Sequence, residues 1–251
     1  MNSIVLENLS FGFQNQSLII DNLSYVFPSN KTVSIIGHSG CGKSTLLQII
    51  SGIIEPDNGT VRIENHTDRL GEIAYMQQKD LLLSWLTVND NLLLPLKIKN
   101  KLNKKSHKEM IEKAKILGIY DYLEFYPKEL SGGLKQRVAF LRTILQDSDF
   151  ILLDEPFASL DAIKRIEIYN WIESLKDYIN KSIILVTHDI EEALFLSDQI
   201  IVMDSGKDNF KFNIDINTPH PRKTDFLVED KFIEQKKLLI RKLNEVKSLD
   251  R

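Results

Sequence analysis

Thr32-Val33-Ser34-Ile35-Ile36-Gly37-His38-Ser39-Gly40-Cys41-Gly42-Lys43-Ser44-Thr45-Leu46-Leu47-Gln48-Ile49-Ile50 is the stretch on which the fold turns. Its first five residues are rich in β-branched and apolar side chains, the composition of a buried strand. Glycines follow, and Thr45 to Ile50 then reads as a helix, so the order is strand, loop, helix. Gly37 to Thr45 matches the pattern G-x-x-x-x-G-K-[ST] in the setting that pattern requires. Glycines let the backbone curl until successive N–H groups converge on phosphate oxygens, and the positive end of the following helix adds to the attraction. Lys43 is then placed to meet the β- and γ-phosphates of a nucleotide and Ser44 to ligate Mg²⁺.

Outward from this stretch the chain repeats the alternation. Phe150-Ile151-Leu152-Leu153 and Ser182-Ile183-Ile184-Leu185-Val186-Thr187 are too short for helices and apolar on both faces, as in a covered parallel sheet. Gln199-Ile200-Ile201-Val202-Met203 is a third such run, after a helical pattern from Ile190 to Leu196. Strands alternating with helices imply an α/β fold, here a phosphate-loop core of mostly parallel sheet with helices. Ile4-Val5-Leu6 and Leu23-Ser24-Tyr25-Val26-Phe27 suggest partly exposed strands, an antiparallel edge at the N-terminus. From Leu86 to Gln146 helical patterns dominate, as in His107 to Leu117 and Gly133 to Leu145. The lysines from Lys97 to Lys108 read as a solvated loop. One domain is expected: a nucleotide-binding core over 1–85 and 147–215, a helical subdomain over 86–146 and a short tail over 216–251. Phe232, Leu239, Leu243 and Val246 lie at helical spacings, so that tail should hold an amphipathic helix packed on its own subunit or a twin.

Composition narrows the classes. In 251 residues, 32 Lys and Arg against 35 Asp and Glu leave a formal charge of −3, which argues against a strongly basic nucleic-acid binder. The chain shows no signal peptide at its start, and no window approaches the ~18 uninterrupted apolar residues of a membrane span. Cys41 is the only cysteine, which rules out an internal disulfide and fits a reducing compartment. It stands beside a helix start, a position that should favour its thiolate.

The run Phe150 to Leu153 ends in Asp154-Glu155-Pro156. Adjacent acids at the carboxyl end of a buried strand are costly unless something cationic meets them, and Mg²⁺ with ATP is such a partner. Asp154 is the expected metal-side carboxylate, and Glu155 the candidate to orient or deprotonate an attacking water. Leu130-Ser131-Gly132-Gly133-Leu134-Lys135-Gln136-Arg137 is a second glycine-rich helix start, with Ser131 as its cap and a helix beginning near Gly133.

With these segments in this order, the chain resembles the ATP-binding cassette family of ATPases, whose signature is Leu-Ser-Gly-Gly followed by a helix. The resemblance covers nearly the whole chain. It implies two subunits sandwiching two ATP molecules, so that Ser131, Gly132 and Gly133 would face the γ-phosphate held by the other subunit. It also implies that Gln77, in Tyr75-Met76-Gln77-Gln78, reaches Mg²⁺ and the attacking water, and that Ser159-Leu160-Asp161 crosses the interface. His188, in Thr187-His188-Asp189, matches the histidine that holds the γ-phosphate. Phe13 is the best match for the aromatic that stacks on adenine, with Phe11 as the alternative. Phe140 and Leu141 depart from the smaller residues that usually follow the signature.

Three stretches resemble the nitrate, sulfonate and taurine importer branch, which also takes up thiamine-precursor pyrimidines. They are Leu82-Leu83-Ser84-Trp85-Leu86-Thr87-Val88, Asp189 to Asp198, and Thr218-Pro219-His220-Pro221-Arg222. That implies an ATPase subunit on the cytoplasmic face of a membrane, with separate permease subunits and, indirectly, a solute-binding protein. Trp85 is the expected exposed anchor for the permease, while the neighbouring leucines read equally as core. A split-chain exporter is the alternative, and a non-transport cassette ATPase a more distant one.

Overall fold

β3 (Thr32–Gly37) lies within a six-stranded sheet, between β7 (Ser182–Val186) and β8 (Gln199–Met203), parallel to both. β6 (Phe150–Asp154) and β5 (Ile73–Met76) continue the parallel order on one side, and β9 (Phe210–Asp215) closes the other edge antiparallel to β8. A separate three-stranded antiparallel sheet is formed by β1 (Ile4–Phe11), flanked by β2 (Ile20–Phe27) and β4 (Asn58–Ile63). The computed structural model describes residues 3–13, 17–64, 69–158, 160–176, 181–206 and 209–249. Among them no helix is long and apolar enough to cross a membrane.

The twofold period of β3 divides the core. Val33 and Ile35 face one apolar cluster, with Leu46 and Leu47 of α1 (Lys43–Ile50) and with Ile4, Leu6 and Phe27 of the antiparallel sheet. Ile36 faces the other cluster, and Ser34 meets the Ser197 hydroxyl. That second cluster collects α2 (Val88–Ile98), α3 (Lys104–Ile116), α4 (Gly132–Ile144), α5 (Ala162–Lys176) and α6 (Ile190–Leu196). Phe140 and Leu141 are fully enclosed there; the Phe140 ring stands edge-on to Phe157 and Trp171, 5.4 Å from each. The larger residues after the signature are therefore absorbed by aromatic packing, and Phe140→Ala would cost about 3–5 kcal/mol.

One expectation changes in the helical segment. Lys97 to Lys108 is not one loop: Lys97 lies in the last turn of α2 and Lys104 opens α3, which Asn103 and Ser106 start with a reciprocal capping box. α2 also tolerates Pro95 inside it. The tail forms α7 (Asp230–Leu249), whose Phe232, Leu239 and Val246 are buried on its own chain. Ahead of it, buried Arg222 donates to the carbonyls of Leu194, Phe195 and Ser197 at the end of α6, and burial pulls its pKa down to about 10. His220 Nδ1 lies 2.6 Å from Glu173 Oε2 of α5. The Thr218–Arg222 segment thus closes the C-terminal end of α6.

Candidate functional site

The carboxyl ends of β3, β6 and β7 meet at one place, and each delivers a side chain expected from sequence. After β3, Gly37, His38, Ser39, Gly40, Cys41 and Gly42 curl into the N-terminus of α1, with Thr45 in its first turn. Gly37 is obligatory, because a Cβ there would lie 2.1 Å from the Met203 carbonyl oxygen. Gly42 has φ +100° and backs onto Ile19, 2.5 Å from where its Cβ would be. The Lys43 ammonium is folded inward, donating to the Gly37 and His38 carbonyls at 2.9 and 2.7 Å. Ser44 Oγ donates to Asp154 Oδ1 at 3.1 Å.

The two acids diverge. Asp154 is buried and faces Ser44; burial is the main reason its pKa is raised, against the Ser44 hydrogen bond. Such a carboxylate gains from a nearby cation, and a hydroxyl with a carboxylate is the hard-oxygen donor set that Mg²⁺ prefers. Tyr75 sits at 3.5 Å from Asp154 Oδ2, its own pKa raised by burial and by that negative charge. Glu155 turns away at φ +49°, a costly conformation for a non-glycine residue, while its N–H donates to the Val186 carbonyl at 2.9 Å. Its side chain then meets two groups: Gln78 Nε2 at 2.9 Å on Oε2, and His188 Nδ1 at 3.4 Å from Oε1. His188 is 63% exposed, facing outward from the end of β7.

Gln77 was the expected glutamine, but the side chain that reaches Glu155 is Gln78, one residue further beyond β5. Sequence alone offers two adjacent glutamines, and only the path of the chain after Met76 decides between them. Cys41 also differs from expectation. It is 3% exposed, and burial raises its pKa despite the Lys43 ammonium 3.8 Å from Sγ, so desolvation outweighs the helix start. Of the two candidate aromatics, Phe11 is buried and Phe13 is 46% exposed, standing edge-on to it at 5.2 Å.

The signature segment forms the start of α4. Ser131 caps α4, its Oγ accepting the Leu134 N–H at 3.4 Å, and the helix begins at Gly132, one residue earlier than expected. Nothing lies within 4 Å of a Cβ built on Gly132. Ser131 and Gly133 line an open cavity of about 510 Å³ with Arg137, Leu160, Asp161 and Lys164. Ser159, expected in the loop beside it, falls outside the described residues.

The loop after Gln78 is fixed by two residues that the sequence did not single out. Arg142 of α4 donates to the Asp80 and Leu81 carbonyls at 2.8 and 2.9 Å. Buried Asn91 donates to the carbonyls of Leu83, Leu86 and Thr87 and accepts the Leu83 N–H. On this clamped loop Leu82 packs inward and Trp85 is 72% exposed.

Comparison with known proteins places the chain in a family. Residues 20–158, more than half the chain, match the family model described as ABC transporter. The formylaminopyrimidine import ATP-binding protein of Halalkalibacterium halodurans is 40% identical over 199 residues, covering 79% of this chain and 78% of the relative. The aliphatic sulfonates import ATP-binding protein of Bacillus cereus is 35% identical over 225 residues, 88% of each chain. Among solved structures, a dimeric post-hydrolysis state of the ATP-binding cassette MJ0796 bound to ADP and Pi superposes with a TM-score of 0.77 at 27% identity, covering 86% of this chain and all of the other. By the family model and by relatives of this identity and coverage, the chain belongs to the ABC transporter family.

Proposed function

We propose that the chain binds and hydrolyses ATP as the nucleotide-binding subunit of an importer, driving uptake of a small solute through separate membrane subunits. The observation that carries this reading is the meeting of Ser44 with Asp154, and of Glu155 with Gln78 and His188, at adjacent strand ends. Phosphoryl transfer needs little covalent chemistry from a protein, so positioned charges are what such a site must supply. Lys43 leaves the Gly37 and His38 carbonyls for phosphate oxygens, and the loop N–H groups hold the rest of the polyphosphate. Ser44, Asp154 and Gln78 are the residues that would hold Mg²⁺, which when bound neutralises charge on the phosphates. Glu155 orients the attacking water and accepts its proton, while the Gln78 amide and the His188 imidazole fix the carboxylate. Phe13 offers its ring to adenine.

Ser131, Gly132 and Gly133 serve the ATP of a second copy, so each chain holds half of each site. Trp85 and Leu81 present an apolar face to a permease subunit at the cytoplasmic side of a membrane. The transported solute resembles those named for the relatives, a formylaminopyrimidine or an aliphatic sulfonate, delivered by a binding protein. Phosphate release tests the core of this reading. Glu155→Gln should bind ATP as wild type does yet turn over at least about a hundredfold more slowly. Equal turnover would remove Glu155 from the mechanism.

A further inference from the structure

His188 belongs to no regular element. β7 stops at Val186 and α6 starts at Ile190, so the turn between them sets where the imidazole stands relative to Glu155. Buried Thr187 fixes one side of that turn, donating to Glu192 Oε2 at 2.7 Å and accepting the Asp189 N–H at 3.0 Å. Asp189 fixes the other: its Oδ1 caps α6 by accepting the N–H groups of Glu191 and Glu192 at 2.8 and 3.2 Å. Capping therefore needs only one carboxylate oxygen. The second, Oδ2, is ion-paired with Nη1 of Arg165, on the first turns of α5.

That pair lies neither on the open surface nor in the core, with side chains 30% and 25% exposed, so it is only partly screened by solvent. The position of Arg165 is set by the start of α5, where its backbone N–H donates to the Asp161 carbonyl at 3.0 Å. Asp161 lines the signature cavity. The guanidinium of Arg165 thus ties the turn that carries His188 to the first turn of α5.

We propose that Arg165 is a positioning residue for hydrolysis: acting through Asp189, it holds the His188 turn in register with Glu155 and ties that turn to α5. It touches no reacting atom, and the proposal rests on the reading of Glu155 and His188 given above. A misplacement of about 1 Å is enough to cost up to about a hundredfold in rate, so a residue that only aims the imidazole has a measurable effect on turnover.

The test is steady-state phosphate release by the purified full chain across ATP concentrations, with ATP binding titrated separately. Arg165→Met should lower kcat about tenfold and leave KM and the ATP Kd within about twofold. Arg165→Lys, which keeps a cation facing Asp189, should recover to within about threefold of wild type. Asp189→Asn should lower kcat similarly, and the double variant should fall no further than the worse single one, because both remove one interaction. The proposal is overturned by a normal kcat in Arg165→Met, by a loss of ATP binding and melting temperature in step with kcat, or by additive losses in the double variant. Glu155→Gln, run alongside, separates the two levels. If it turns over normally, the catalytic reading fails; if it is inactive while Arg165→Met is normal, only the positioning role fails.

Discussion

Two glycine-rich helix starts in this chain have the same local chemistry and opposite surroundings. At the phosphate loop, Lys43 is held by two carbonyls, Ser44 is bonded to Asp154, and Gly37 and Gly42 are crowded by Met203 and Ile19. At the signature, nothing lies near a Cβ on Gly132, and Ser131 and Gly133 face an open cavity. The first is organised within one chain, so its residues are positioned before a nucleotide arrives, which lowers the ordering cost of binding. The second presents a helix start to an open cavity that Leu160, Asp161 and Lys164 line on one side. On the function proposed above, the second copy of the chain stands opposite the signature.

The largest effects should come from breaking either half. Lys43→Ala removes the cation of the organised half and should weaken ATP binding about a hundredfold. Ser131→Arg fills the open half and should leave ATP binding within about threefold while phosphate release falls by about a hundredfold or more. If both variants lost binding alike, the two helix starts would not be separate halves. A smaller effect sharpens the organised half. Gln78→Ala should lower kcat about tenfold and Gln77→Ala less than twofold, and the reverse order would restore Gln77 to the site.

The smallest effect lies behind the catalytic turn. Glu192 is 2% exposed, and burial pushes its pKa up to about 8 from an ordinary value near 4.5. The folded chain then keeps a proton that the unfolded chain releases, so this contribution to stability is full below about pH 4.5 and is lost as pH rises through about 8. The slope is at most about 1.4 kcal/mol per pH unit. Glu192→Gln should therefore gain melting temperature relative to wild type between pH 5 and about 8. An offset that stays constant with pH would contradict this.

What the sequence reveals follows from how far apart the cooperating residues lie. The phosphate loop is legible because its chemistry occupies consecutive residues, Gly37 to Thr45, and the spacing of Phe232, Leu239 and Val246 likewise announces α7. The α/β architecture and the antiparallel edge follow from short apolar runs and their alternation. The choice between Gln77 and Gln78 depends on one backbone turn after β5, which no spacing rule encodes. Arg165, Asn91 and Arg142 act on partners from other elements, so each reads in sequence as an ordinary polar residue of a helix. Counting charges hid the α3 cap, because Lys104 and Lys105 surround a start that Asn103 and Ser106 define. At Cys41 the helix start and the Lys43 ammonium favour the thiolate, yet packing decides, since burial disfavours the charged form more strongly.

The central claim is that each chain carries one organised and one open half-site, completed by a second copy around ATP. Sedimentation of the Glu155→Gln chain, which should hold ATP without consuming it, tests this most directly. The account predicts the 28.9 kDa species without nucleotide, twice that mass with Mg·ATP, and no doubling when Ser131→Arg is added. A chain that binds Mg·ATP yet stays at 28.9 kDa, or one that doubles equally with Ser131→Arg in place, would contradict it.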